Sequence, residues 1–464
     1  MSRPRTLPAL FALAASLVAA SVSAATPPAA TRASAEARPR NVILMIPDGC
    51  GWASITLARI VVGHPLALDG ILVGACETHP ADDLITDSAA SATAYASGVK
   101  TRNRELGQTS DHRPVATVLE AAQALGMSTG LVATSRITHA TPAAFASHEA
   151  ERDSEVAIAT AELDHHIDVM LGGGRGQFVP RAAGGQRQDG RDLLDEARRA
   201  GVTVIASRAE LRQDLETPVL GLFAPDHMSY EIDRDTLAEP SLAEMTRRAL
   251  ALLARDRRGF FVMIEGSRVD HAAHQNDAAT HVREVLAYDE AVAAALEFAR
   301  HDGHTLVISV SDHECGGLSD GAWSGRDRAS KLEPGVLRRA RASAERMALE
   351  IRDGGTIEQV LAREAGISAL TAAEIMTLRA VVRRGDLAGS IGTVVSRRAG
   401  AGWTTWSHTA EDVGLYAFGP GAERLRGVHE NTEVARVIAA LLHLDLDGLT
   451  AKLRAAAATT PAGR

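Results

Sequence analysis

The segment TDSAASATAYASGVKT (86–101) sets Ser88 at the head of a run of Ala, Ser and Thr with little bulk in it. Alanine is the best helix former, so the run reads as a helix beginning near Asp87. The first turn of such a helix offers unpaired N–H groups and the positive end of its dipole, and a serine there faces an anion site. The same serine also fits an ordinary helix cap, with the alanines allowing close helix packing. Downstream, EGSRVDHAAHQND supplies Glu265, Asp270, His271 and His274. Asp270 and His274 lie four apart, so one helical face can present both to one ion. SDHE adds Asp312 and His313, and WSHTAED adds His408. Mixed imidazole and carboxylate ligands suit Zn²⁺, whereas oxygen-only clusters suit Mg²⁺. Taken singly, each histidine fits a satisfied structural residue. Together with Asp48 the clusters favour a metal centre.

Such distant residues need a frame that gathers them. Short apolar runs end repeatedly in polar residues: 41–49, 127–135, 166–174, 202–207, 259–267, 304–314 and 413–420. Amphipathic helical stretches lie between them, among them Val156–Leu163, Leu242–Ala254 and Ala278–His301. This alternation predicts a three-layer α/β/α sandwich, with a mostly parallel central sheet and helices on both faces. In such sheets functional groups gather at the carboxyl ends of the strands, where Asp48, Glu265, Asp312 and His313 fall.

Residues 320–402 depart from the alternation, being Arg/Glu-rich and helical, and read as an insertion over the sheet, as a lid, subunit contact or plain loop elaboration. The chain returns to the sheet at Val413, ends in a helix begun near Asn431, and is expected to fray over 453–464. Residues 1–24 carry Arg3 and Arg5, an apolar stretch and Val-Ser-Ala, the pattern of a secretory signal of the general route; this predicts an exported, periplasmic or secreted protein with no membrane span. The net charge of −9, two units more negative without Arg3 and Arg5, argues against a nucleic-acid groove. An anionic substrate on this background needs local cations, which metals would supply. Three cysteines leave at least one free; a Cys50–Cys315 bridge is conceivable, and buried thiols are the favoured reading.

The order of motifs resembles the alkaline phosphatases: PDG, TDSAASATAYASGVKT, THATPAAFASHEAERD, EGSRVDHAAH, SDHECGGL and SHTAEDVGLYAFGPGAE. The resemblance spans a catalytic domain over 40–446, and is weakest in the insertion. It implies one zinc held by Asp270, His274 and His408. It implies a second zinc held by Asp48, Asp312 and His313, with the Ser88 hydroxyl completing it. A third ion, usually magnesium, would sit on Asp48, Thr141 and Glu265, and Arg152 would grip the phosphate with its planar fork. His139 stands where enterobacterial members carry Asp, and His271 where they carry Lys. Those histidines are expected to weaken magnesium, to admit Zn²⁺ or Co²⁺ in its place, and to loosen the hold on product phosphate.

The resemblance further implies phosphate-monoester hydrolysis of broad specificity in a homodimer, through a phosphoserine on Ser88. A sulfatase would need a C/S-x-P-x-R context that SAASA does not provide. A phosphodiesterase would more typically use threonine and lack Arg152, which leaves diesterase side activity as one alternative. A non-catalytic periplasmic phosphate or metal scavenger is the other.

Overall fold

The structure is a computed structural model describing residues 38–321 and 331–459; the expected signal segment lies outside the described residues. Ten strands form one sheet: β1 (Asn41–Pro47), β2 (Leu72–Glu77), β3 (Ser128–Arg136), β4 (Val169–Gly173), β5 (Thr203–Ile205), β6 (Val219–Leu222), β7 (Phe260–Gly266), β8 (Thr305–Val310), β9 (Val413–Phe418) and β10 (Gly427–Glu430). Their spatial order is β10-β2-β9-β8-β1-β7-β3-β4-β6-β5. Every pairing is parallel except those of β9, which runs against β8 and β2.

The central strands are apolar on both faces because both are covered. Along β1, Val42, Leu44 and Ile46 point into one core, and Ile43 and Met45 into the other. The helix Ala278–Asp302 covers the second face through Val285, Tyr288, Val292 and Leu296. Val118–Ala124 and Asn431–Leu442 cover the first through Val118, Leu119, Val434 and Ile438. The chain is therefore a three-layer α/β/α sandwich.

After a short pairing of Ser319–Asp320 with Ala401–Gly402, five helices occupy 334–399. They share a core of their own, including Leu337, Met347, Leu361, Leu378 and Ile391, which docks on Leu57, Val61 and Val282. Two sequence expectations need correction. The last strand is β10, not the run at Val413, and the carboxyl-terminal segment is helical from Leu446 to Thr459 rather than frayed from 453, while 460–464 of the expected tail lie outside the described residues. Partly buried Leu446 and Leu449 pack on the first core and hold that helix down.

Candidate active site

Strand order brings the acids together. β1 lies between β7 and β8, with Ile46 opposite Glu265 and Met45 opposite Ser309. Asp48 and Asp312 each follow three residues after that last pair, so they emerge side by side at the carboxyl edge. β3 is the neighbour of β7, and the turn after it carries His139 and Thr141 into the same edge. Gly49 makes the tight exit from β1. Its φ of +70° is left-handed, and a Cβ there would stand 2.7 Å from Asp270 Oδ1.

One cluster is Asp270, His274 and His408. The short helix Arg268–His274 places Asp270 Oδ2 3.3 Å from His274 Nε2. His408 sits in a two-residue strand paired with Glu314–Cys315, and this pairing swings its Nε2 to 3.6 Å from Asp270 Oδ1. Cys315 Sγ borders the cluster. All three cysteines are free and buried, so the conceivable Cys50–Cys315 bridge is absent. Burial pushes the thiols of Cys50 and Cys76 up to about 12, and that of Cys315 higher still, which keeps them protonated.

A second cluster is Asp48, Asp312 and His313, all fully buried. His313 Nε2 lies 3.5 Å from Asp48 Oδ1, 3.3 Å from Asp312 Oδ2 and 3.3 Å from Ser88 Oγ. The His313 and His408 rings stack with centroids 3.5 Å apart, so the two clusters adjoin. A third group joins Asp48 to Glu265 and His139, with buried Thr141 on the same turn as His139.

The donor atoms fit cations. Both oxygens of Asp48, both of Glu265, Asp270 Oδ1, Asp312 Oδ2, Thr141 Oγ1 and the Nδ1 atoms of His139 and His313 are buried without a hydrogen-bond partner. Orphaned buried groups are rare in folded proteins, and here they converge. Burial, reinforced by neighbouring carboxylates, raises Asp48 well above its ordinary range, lifts Glu265 to about 8 and Asp312 to about 6. Burial likewise keeps His313 neutral at physiological pH, which leaves one ring nitrogen with a lone pair for a metal.

Ser88 opens the helix Ser88–Ser97, and Asp87 is its cap, accepting from Ala90 N at 3.0 Å. Two bonds clamp this helix over the end of β8: Ser91 Oγ donates to the Asp312 carbonyl at 2.8 Å, and Tyr95 OH to the Ser311 carbonyl at 2.7 Å. All ten helix residues are buried, and apart from Tyr95 every one is Ala, Ser or Thr. The other Asp87 oxygen accepts from Arg152 Nη1 at 3.0 Å, so Asp87 caps the helix and orients the arginine at once. Arg152 Nη2 faces His139 Nε2 at 3.2 Å.

His271 does not stand alone. Its Nδ1 is 3.0 Å from Arg268 Nη1, so an arginine sets a positive charge beside it. His227, with nothing in its sequence context to mark it, packs its ring 4.4 Å from that of His271 and 5.5 Å from that of His139. Burial and the nearby Arg136 and Arg268 hold His227 down to about 3.

A profile of the family described as Alkaline phosphatase matches residues 39–444. The repressible alkaline phosphatase of Saccharomyces cerevisiae is 39% identical, over 91% of this chain and 84% of that protein. Alkaline phosphatase 4 of Bacillus subtilis is 38% identical, over 94% and 95%. The solved cold-active alkaline phosphatase of a Shewanella species superposes with a TM-score of 0.79 at 31% identity, covering 87% of this chain and 99% of that one.

Proposed function

The chain belongs to the alkaline phosphatase family of metal-dependent phosphomonoesterases, and we propose that it hydrolyses phosphate monoesters through a covalent phosphoserine on Ser88. The observation that carries this is the placement of Ser88 Oγ 3.3 Å from His313 Nε2, at a helix start and beside the partnerless oxygens of Asp48 and Asp312.

In this reading Asp270, His274 and His408 hold one zinc. Asp48, Asp312 and His313 would hold a second beside Ser88, and Asp48, Thr141 and Glu265 would hold a third ion, magnesium or a softer replacement. When bound, these ions lower the pKa of the serine hydroxyl and neutralise charge on the attacking and leaving oxygens. Ser88 Oγ forms the new bond to phosphorus as the alcohol departs. Arg152 holds two of the phosphoryl oxygens, with its fork aimed by Asp87, and the helix start adds its dipole. Water then attacks phosphorus from the side the alcohol left, and Ser88 is regenerated. His139, in place of a carboxylate, lowers the negative charge around the third ion and favours zinc or cobalt there over magnesium. Broad specificity, export by the leader and a homodimer complete the proposal.

The test is to trap the intermediate. Protein incubated with phosphate in mild acid and then digested is expected to carry a phosphoryl group on the Ser88 peptide. The Ser88→Ala protein should lack it and lose turnover by roughly 10³-fold or more. Phosphorylation elsewhere, or full turnover by Ser88→Ala, would overturn the assignment.

A further inference from the structure

Away from these clusters, two histidines from different segments converge on one carboxylate oxygen. Glu120 belongs to the helix Val118–Ala124 and is only 7% exposed. Its Oε2 is occupied, accepting the Thr117 N–H at 2.8 Å in a capping box. Its Oε1 faces His148 Nε2 at 3.0 Å and His165 Nε2 at 3.8 Å. The chosen donor atoms of the three residues all lie within 4.8 Å of one another.

The surroundings orient these donors. His148 Nδ1 is 2.7 Å from the Gly107 carbonyl, which fixes the proton on Nδ1 and turns Nε2 toward the carboxylate. The backbone of His165 is tied to the same helix, its carbonyl accepting from Gln123 Nε2 at 2.8 Å. The side chains of His148 and His165 remain 20% and 25% exposed, so an ion can enter and keep a water.

Distances decide between two explanations. A salt bridge accounts for His148, whereas 3.8 Å is too long for a hydrogen bond from His165. Ligands at the usual zinc distances around a tetrahedral ion stand about 3.3 Å apart, between the two observed separations. Two imidazoles and one carboxylate also form a donor set that zinc prefers.

We propose that Glu120, His148 and His165 bind a zinc ion separate from the catalytic cluster, and that this ion steadies the segment carrying Arg152. The connection runs through a backbone ladder. Leu106 and Glu149 exchange N–H to carbonyl bonds at 2.8 and 3.1 Å, and Arg152 N donates to the Arg104 carbonyl at 2.9 Å. Arg104 N in turn donates to Asp87 Oδ2 at 3.1 Å, the oxygen that orients Arg152. An ion on His148 therefore pins the base of a ladder whose far end holds the phosphate-binding arginine. The metal site stands on its own geometry; only the role of Arg152 rests on the proposed function.

The experiment compares zinc-saturated, desalted protein by elemental analysis, together with the steady-state rate on p-nitrophenyl phosphate. His165→Gln is expected to hold one zinc per chain fewer than wild type, with kcat unchanged and KM raised several-fold. His408→Ala should lose its own equivalent and keep the one at His165, and the two losses should add in the double variant. Failure at one centre is thus visible apart from failure at the other. Equal zinc in wild type and His165→Gln would reduce the cluster to a Glu120–His148 ion pair and overturn the site. A lost zinc with KM unchanged would overturn the link to Arg152. Should His165→Gln fold poorly, His165→Asn in the same assay carries the same two outcomes.

Discussion

His274 and His408 aim their Nε2 atoms at one another across 3.1 Å, while each Nδ1 is committed to a backbone carbonyl. His274 Nδ1 lies 2.7 Å from the Trp406 carbonyl and His408 Nδ1 2.8 Å from that of Thr86, so both protons sit on Nδ1. Two imidazole lone pairs then face each other beside Asp270, a repulsive arrangement that a cation between them makes favourable. His408→Ala should lower zinc affinity and phosphatase activity by at least about 10²-fold. Excess zinc should recover part of the rate. Titration with zinc while following p-nitrophenyl phosphate hydrolysis checks it.

Asp87 caps the helix with Oδ1 and accepts from Arg152 and the Arg104 N–H with Oδ2, and substitutions can separate the two roles. Serine retains a capping oxygen but cannot reach out to Arg152 as well. Asp87→Ser should keep the melting temperature near wild type while phosphate binding weakens roughly tenfold, the lower end expected for a hydrogen bond to a charged group. Asp87→Ala should show the same binding loss and a further destabilisation of about 1 kcal/mol from the missing cap. Equal melting temperatures for the two variants would contradict the double role.

The metal-free protein should become less stable as pH rises from about 7 to 8, above the range in which the buried neutral histidines, His227 and His313 among them, would take up protons on unfolding. Glu265, at about 8, and Asp312, at about 6, lie above the ordinary carboxylate range near 4 of an unfolded chain. Below that range both states are protonated and folding carries no penalty. Above it the unfolded chain releases protons that the folded apoprotein keeps, so unfolding gains with each step of pH. Melting curves of chelator-treated protein at pH 7 and pH 8 measure this. Added zinc should raise the melting temperature more at pH 8.

His271→Lys should tighten product phosphate by a few-fold, because it adds a second cation to the one that Arg268 already places there. The same crowding of like charges should lower the melting temperature slightly. Inhibition constants for phosphate in the two proteins decide the point. Identical values would mean that Arg268 alone sets the local charge.

The fold was legible where strands were fully buried. β1, β7 and β8 announce themselves as unbroken apolar runs because both of their faces are covered. β2 and β10 did not, since they form one border of the sheet and their residues are largely half-exposed or exposed. β6 escaped notice for a different reason: Gly221 interrupts its short apolar run, VLGL. The insertion read as helical because Met347, Val360 and Ile391 recur on apolar helical faces, but its docking on Leu57 and Val282 left no local mark.

Within the site, the sequence alone determined the ligand chemistry and the local pairs, such as Asp270 with His274, because helix geometry couples residues four apart. It also marked each cluster as a strand end, because apolar runs stop where polar groups begin. What only the tertiary structure decided is which clusters meet. That depends on β1 lying between β7 and β8, and on the pairing of His408 with Cys315, neither of which follows chain order. The same holds for His227, a loop histidine that packs against two others only through the fold, and for Glu120, His148 and His165. Local periodicity reports which face of an element is buried. Contact between distant elements is fixed by the way whole layers pack, and no short stretch of residues encodes that.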